Sequence, residues 1–387
     1  MHYFNRRIGS ILQRDQRNLE RILKVIKLKK VEIILISILF IVHVASFLIA
    51  QYLIYVMTSV MLGAWLVSRP SEWLATSVNS LGKHFNLSEY VIGVVTSLMA
   101  ISGEIVIISF AFWRAFIDGY MFFIELSILA TLYSMCFNIM VLGATIAYKG
   151  GKTVAVPDEI LSKELEIIDW TMVATFLIGF LWVSNVFLSI GEVSTLYLPR
   201  EVAFILPVSY FVYTMHVRKI KYAGEASYIM EPPLSVFQAF IIIIISTSMI
   251  LLGGELLTDV ALSLLLDYYD ALVMYGNPLI LTAILIGGAS AIYDAVINLI
   301  FASRGQMLAS VGNLLAGAIQ LFMLVIGIVG IIVLIPITKY IAFQLMVISM
   351  SLYFYRQAIA DKGLDRYEGA MLFLLQMFSL VLVIKGF

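Results

Sequence analysis

Long apolar stretches occupy most of this 387-residue chain and constrain its fold more than any other feature. Hydrophobic residues make up 61% and charged residues 13%, a balance that a water-soluble domain of this length cannot bury. A membrane-spanning helix needs about 20 apolar residues. On that basis the sequence predicts eleven spans, at 31–49, 50–68, 88–113, 119–148, 168–190, 200–217, 234–257, 277–302, 308–335, 338–358 and 368–386. No clear turn signal separates the first two spans, so a single long helix over 31–68 stays an alternative.

Lysines and arginines are unevenly distributed between the loops that these spans predict. With the N-terminus in the cytoplasm, 20 of the 25 fall in predicted inner segments and four in predicted outer loops, while Arg69, at the end of the span 50–68, is counted on neither side. Cytoplasmic loops of membrane proteins carry an excess of positive charge. The sequence therefore predicts a multi-pass protein of the cell membrane with a cytoplasmic N-terminus.

Two sets of five spans follow the first helix. Because five is odd, the second set enters the membrane in the opposite direction, and sites in such proteins lie near the midplane between the repeats. We expect an all-α membrane protein with two inverted five-helix repeats and one extra N-terminal transmembrane helix. The predicted segments are a basic cytoplasmic N-terminal segment over 1–30, the extra helix over 31–49, the first repeat over 50–217, a cytoplasmic linker over 218–233 and the second repeat over 234–387.

Each predicted repeat carries an acidic residue inside an apolar helix. Glu104 follows Ser102, and Asp294 follows Gly287 and Ser290. A carboxylate at the centre of a bilayer costs roughly 3 kcal/mol or more, whereas glycine and serine weaken a helix, so that freed carbonyls can face a cavity. Two carboxylates match the charge of Ca²⁺, which takes about six to eight oxygen ligands. The pair predicts a cation site, although protonated or hydrogen-bonded acids that serve packing alone are an alternative.

Polar residues in the next helix of each repeat are candidate auxiliary ligands. Ser134 and Asn138 lie in the span after Glu104, and Asn313 lies in the span after Asp294. A hydrogen bond between helices explains any one of these residues equally well. The predicted metal-ligand set consists of Glu104, Asp294, Ser102, Ser290, Ser134 and Asn313.

Signatures of enzymes are absent from the sequence. It contains no zinc-protease, serine-hydrolase, P-loop or dinucleotide-binding motif. The single cysteine, Cys136, excludes a disulfide framework and a cysteine-based metal cluster. We expect no enzyme activity and no cofactor. The predicted partners are inorganic cations and the lipid bilayer, without nucleic acid, and the oligomeric state is left open.

These acidic segments resemble the alpha repeats of the cation/calcium exchanger superfamily, which includes the sodium/calcium exchangers and the calcium/proton antiporters. Ala100–Glu104 and Gly288–Asp294 are similar to the family motif G-T-S-x-P-E, and Gly312–Asn313 is similar to the motif G-N-x-x-G-S-N-x-x-N that follows it. The resemblance covers residues 50–386. Both copies lack the motif proline, the first lacks the threonine, and the second is one residue longer.

The resemblance implies an antiporter that exchanges Ca²⁺, or a similar divalent cation, for Na⁺ or H⁺ by alternating access. Glu104 and Asp294 would be its charged ligands. The same carboxylates could carry a counter-ion proton, because an apolar surrounding favours the neutral form of an acid. In that case Ca²⁺ affinity rises with pH. Two alternatives are a carrier of another cation on the same scaffold and a non-transporting membrane scaffold with a degenerate exchanger fold.

Overall fold

Helices make up almost all of the structure that the computed structural model describes, which covers residues 30–49, 51–85, 101–149, 154–155, 158–188, 196–217, 234–303, 307–360 and 363–386. Its elements in chain order are α1 (Lys30–Leu48), α2 (Tyr52–His84), α3 (Ser102–Ile117), α4 (Phe122–Lys149), β1 (Val154–Ala155), α5 (Asp158–Leu188), α6 (Arg200–Val217), α7 (Val236–Leu266), α8 (Tyr269–Val273), α9 (Pro278–Ser303), α10 (Met307–Gln320), a π-helical segment (Leu321–Ile326), α11 (Gly327–Ile332), α12 (Lys339–Ile359), β2 (Gly363–Leu364) and α13 (Arg366–Gly386).

Every predicted span has a helical counterpart within the described residues, although the span 88–113 is described only from Ile101 onward. By length and composition, seven helices in the described ranges are suited to crossing a membrane. The stretch 31–68 is two helices, because α1 ends at Leu48 and α2 begins at Tyr52.

Helix α2 extends well beyond its predicted end at residue 68. It continues through Pro70 to His84, although proline lacks the N–H that a helix interior uses. Trp73 and Leu74 are buried in this extension, and Trp73 packs in a cluster with Ala239 of α7. The burial of these apolar side chains compensates the lost hydrogen bond, so the helix does not stop where its continuous apolar run stops.

Contacts among the described residues divide the chain into two compact units. The first comprises Met1–Gly103 with Tyr222–Leu256, and the second comprises Glu104–Lys221 with Leu257–Phe387. Each unit therefore contains pieces of both predicted repeats. The predicted segment boundaries at 31–49, 218–233 and 234–387 stay predictions.

In the first unit, polar contacts attach the extra helix α1 to α2. Glu32 lies 3.2 Å from the guanidinium Nε of Arg69 and accepts a hydrogen bond from the indole of Trp65 at 3.1 Å. Arg69 also pairs with Glu72 on its own helix. The ring of His43 stacks on Tyr55 with centroids 4.8 Å apart. Arg69, at the end of a predicted span, thus has two carboxylate partners.

We expect Glu32→Gln to loosen this attachment without unfolding the helices. The substitution keeps an oxygen for the Trp65 indole but removes one negative charge beside Arg69, which retains Glu72. Since both groups of the pair are mostly buried, the loss should be about 1 kcal/mol. Thermal unfolding in detergent measures it, with Glu201→Gln, an exposed acid at the start of α6, as the control. Equal melting temperatures for the two variants would contradict a docking role for Glu32.

In the second unit, α4 is the central helix. It packs against α9, α10, α12 and α13, and most of its length is buried. Such all-round burial is typical of a helix at the centre of a bundle. Gly143 of α4 and Gly369 of α13 allow their backbones to meet, since a Cβ at Gly143 would lie 2.7 Å from the Gly369 carbonyl oxygen. The short strands β1 and β2 pair antiparallel beyond the ends of α4 and α12.

Candidate functional site

The acidic residue Glu104 is buried in the first turn of α3. Its residue exposure is 6%, so its carboxyl group is largely withdrawn from solvent. The first turn of a helix favours negative charge, because unpaired N–H groups and the helix dipole concentrate positive potential there. Glu104 is therefore a buried acid at a helix N-terminus, and its role as a cation ligand stays a prediction.

Ser134 of α4 provides a hydroxyl next to this acid. The Ser134 side chain is fully buried, and its Oγ donates to Oε1 of Glu104 at 3.5 Å. This distance is long for a direct O–H···O hydrogen bond. Two oxygens bound to one Ca²⁺ at right angles lie about 3.4 Å apart, given Ca–O distances of about 2.4 Å. The separation of the two groups thus suits shared ligation of a cation.

Asn138 lies one helical turn beyond Ser134 on the same face of α4. Its side chain is buried, and its amide oxygen has no hydrogen-bond partner. Gly317 of α10 faces this amide, and a Cβ built there would lie 3.6 Å from the Asn138 nitrogen. A buried unpaired amide oxygen is costly for the fold, whereas it is a good ligand for a hard cation.

Helix α9 meets α4 at the level of Ser134. A Cβ at Gly287 would lie 2.4 Å from the Ala130 carbonyl oxygen and 2.9 Å from the Ser134 nitrogen, so the two backbones are in direct contact. Ser290, one turn further along α9, is buried and donates to the Gly287 carbonyl at 2.9 Å. The expected weakening of the helix at Gly287 and Gly288 does not interrupt it, because α9 is continuous from Pro278 to Ser303. The glycine at 287 serves close packing instead.

The other three predicted ligands are Ser102, Asp294 and Asn313. Ser102 belongs to the first unit, where its hydroxyl lies 3.3 Å from that of Ser71. The backbones of Asp294 and Asn313 lie in α9 and α10, but their side chains are outside the part of the chain that the structure describes. Among the described residues, no three His, Cys, Asp or Glu side chains form a metal-binding group. The site therefore consists of one described carboxylate with neutral oxygens.

The predicted metal-ligand set includes Asn313 but not Asn138, although the spacing of the polar residues along α4 favours Asn138 as a ligand. Five buried polar residues lie within about 40° of one line along α4, at 100° per residue. They are Ser127, Thr131, Ser134, Asn138 and Thr145. A polar stripe that includes the contact with Glu104 marks the face of α4 that lines the site.

Comparison with solved structures identifies the fold. The chain is similar to a crystal structure of the H⁺/Ca²⁺ exchanger CAX, with 14% identity and a TM-score of 0.66 over 91% of this chain and 89% of that chain. It is similar to native YfkE, with 14% identity and a TM-score of 0.61 over 91% and 99%. It is also similar to the sodium-calcium exchanger NCX_Mj, with 18% identity and a TM-score of 0.54 over 85% and 98%. No protein-family model and no curated protein sequence matches the chain.

The protein thus has the fold of the cation/calcium exchangers, and the predicted fold class is confirmed. It is an all-α, multi-pass membrane protein, as its apolar helices and its structural neighbours both indicate. The motif resemblance in the sequence and the similarity of the fold are separate observations, and they agree.

Proposed function

We propose that this protein is a secondary-active antiporter that exchanges Ca²⁺, or a similar divalent cation, for Na⁺ or H⁺. The contact between Glu104 and Ser134 inside an exchanger fold is the observation that carries this proposal. A buried carboxylate costs free energy unless a partner ion or a proton neutralises it. Because only a cation removes this cost, the buried carboxylate makes the site selective for cations.

In this proposal the residues have distinct roles. Glu104 supplies charge, while Ser134 and Asn138 supply neutral oxygens from one face of α4. Asp294 is the second charged ligand by the sequence argument, with Ser290, Asn313 and Ser102 as further oxygen donors. The repeats rock about the site to expose it to each side of the membrane in turn.

Radiolabelled Ca²⁺ uptake into proteoliposomes under imposed Na⁺ or H⁺ gradients tests the proposal. The wild type should accumulate Ca²⁺ under one of the two gradients, and the double variant Glu104→Gln, Asp294→Asn should fall to background, because both charged ligands are removed. Competition by Mn²⁺ and Mg²⁺ in a cation-binding assay identifies a carrier of another divalent cation. If well-folded protein takes up no Ca²⁺ under either gradient and binds none of these cations, the non-transporting scaffold is favoured.

A further inference from the structure

A buried serine of α2 lies beside one of the predicted ligands in the first unit. Ser71 is 5% exposed, and its hydroxyl oxygen lies 3.3 Å from that of Ser102, the first residue of α3. Ser102 precedes the buried acid Glu104 by two residues on the same helix. Ser71 therefore brings a further side-chain oxygen to the start of the helix that carries the proposed charged ligand.

The proton of the Ser71 hydroxyl is used within α2. The hydroxyl donates to the carbonyl oxygen of Val67, four residues earlier, at 2.7 Å. A serine hydroxyl has one proton and two lone pairs. Because the proton is held by Val67, Ser71 presents only lone pairs to Ser102. A hydroxyl that binds a cation needs this arrangement, with the proton on a separate acceptor and the lone pairs free for the ion.

The spacing of the two hydroxyls fits a cation of a particular size. Two oxygens at right angles around one cation lie about 3.4 Å apart for Ca²⁺, with Ca–O distances of about 2.4 Å, and about 2.9 Å apart for Mg²⁺, with Mg–O distances of about 2.0–2.1 Å. The observed 3.3 Å between Ser71 and Ser102 agrees with Ca²⁺ and is too long for Mg²⁺. It is also long for an O–H···O hydrogen bond, which is at most about 3.0 Å.

Close packing of helices surrounds the turn of α2 that accepts the Ser71 proton. A Cβ at Gly103 of α3 would overlap the side chain of Val67. A Cβ at Gly253 of α7 would lie 2.9 Å from the Val67 nitrogen. Both glycines thus allow a neighbouring helix to approach α2 at this turn, and the distance between Ser71 and Ser102 is set by backbone contact.

The same turn of α2 carries a released backbone carbonyl. Pro70 has no N–H, so the carbonyl of Leu66 lacks the partner that a regular helix would give it. Leu66 directly precedes Val67, the acceptor of the Ser71 proton. Carbonyl oxygens released in this way bind cations in transporters. Helix α2 is therefore rich in neutral oxygens at the level of Ser71.

Hydrogen bonding within the helix accounts for another serine of α2 but not for Ser71. Ser77 is fully buried and donates to the Trp73 carbonyl at 2.7 Å, which is common behaviour for a serine inside a helix. Ser71 makes the equivalent bond and, in addition, lies opposite a second hydroxyl. The intrahelical bond is thus common to both serines, and the approach to Ser102 is the feature that sets Ser71 apart.

We propose that Ser71 is a further ligand of the transported cation, and that the pair of hydroxyls on Ser71 and Ser102 favours Ca²⁺ over Mg²⁺. The pair adds neutral oxygens to the charge that Glu104 supplies. Ca²⁺ takes about six to eight oxygens at flexible positions, whereas Mg²⁺ takes six at shorter distances and keeps several waters. The inference rests on the proposed function, because it names a ligand and a specificity determinant of the same site.

The variant Ser71→Ala tests this role in a cation titration of the melting temperature in detergent. Loss of the oxygen should raise the Kd for Ca²⁺ by about tenfold or more. The Kd for Mg²⁺ should stay within about twofold of wild type, because the spacing of the pair does not suit this ion. Ser77→Ala is the matched control, since it loses the same kind of intrahelical bond, and it should change neither Kd. Glu104→Gln should weaken the binding of both cations.

The variant Ser71→Cys provides a second test, which a general loss of structure cannot imitate. Thiolates are ligands for soft cations. Ser71→Cys should therefore bind Cd²⁺, a soft cation of nearly the size of Ca²⁺, about tenfold more tightly than the wild type. Ser77→Cys should bind Cd²⁺ as the wild type does. The native Cys136 is buried and is present in every variant, so it does not affect the comparison.

The outcomes separate this inference from the proposed function. A wild type that binds no divalent cation would refute the proposed function and the inference with it. If the wild type binds Ca²⁺ and Ser71→Ala binds it equally well, the inference alone is wrong. Equal losses of affinity in Ser71→Ala and Ser77→Ala, or equal losses for Ca²⁺ and Mg²⁺ in Ser71→Ala, would also overturn it.

Discussion

The substitution Gly287→Ala is expected to force α4 and α9 apart and to abolish Ca²⁺ binding and transport. A Cβ at this position would lie 2.4 Å from the Ala130 carbonyl oxygen, 2.9 Å from the Ser134 nitrogen and 2.9 Å from the Tyr133 Cβ. Two of these three atoms belong to the backbone of α4, so no side-chain rotation can relieve the overlap. Overpacking of this kind costs about 1–3 kcal/mol. The larger consequence is at the site, since Ser134 is the residue that contacts Glu104.

Melting temperature with and without Ca²⁺, together with uptake into proteoliposomes, measures this effect. Gly317→Ala is the matched control, because the nearest atom to a Cβ there is 3.6 Å away, which is ordinary van der Waals contact. We expect the control to keep its Ca²⁺-dependent stabilisation and Gly287→Ala to lose it. If Gly287→Ala binds and transports Ca²⁺ as the wild type does, the contact between α4 and α9 does not shape the site.

Much of the fold could be predicted from the sequence because a bilayer imposes a simple rule on the chain. Backbone polar groups in lipid have to be satisfied within the helix, so each long apolar run has to be helical. The run over 200–217 matches α6 at both ends. The rule fails where a helix leaves the apolar run, since α2 continues through Pro70 for reasons of tertiary packing by Trp73. Such packing partners are distant in sequence and leave no periodic signal.

In the candidate site, too, sequence patterns identify some of the residues, whereas tertiary packing determines how the helices meet. An isolated acid in an apolar helix stands out, so Glu104 was found, and Ser134 followed from its place in the next helix. A glycine pair, however, signals either a broken helix or a close approach of two helices. The structure selects the second at Gly287, where α9 stays intact against α4. The choice depends on Ala130, which no local pattern around residue 287 contains.

The substitution Asn138→Leu is expected to weaken Ca²⁺ binding while leaving the cation-free protein at least as stable as the wild type. The Asn138 amide oxygen is buried without a partner, so an apolar side chain of similar size removes an unfavourable group from the interior. The same oxygen is a proposed cation ligand next to Ser134. Its loss should raise the Kd for Ca²⁺ by about tenfold or more, which corresponds to about 1.4 kcal/mol.

A Ca²⁺ titration of the melting temperature separates these two effects of Asn138→Leu. Thr145→Val is the matched control, since Thr145 is a buried, unpaired hydroxyl on the same face of α4, about 10 Å further along at 1.5 Å per residue. Both variants should gain or keep stability without Ca²⁺, and only Asn138→Leu should lose affinity. A large fall in the cation-free melting temperature of Asn138→Leu would show instead that the amide has a structural role. An unpaired polar group in the interior is costly unless an ion binds it. A substitution that raises stability and weakens cation binding therefore distinguishes a ligand from a packing residue.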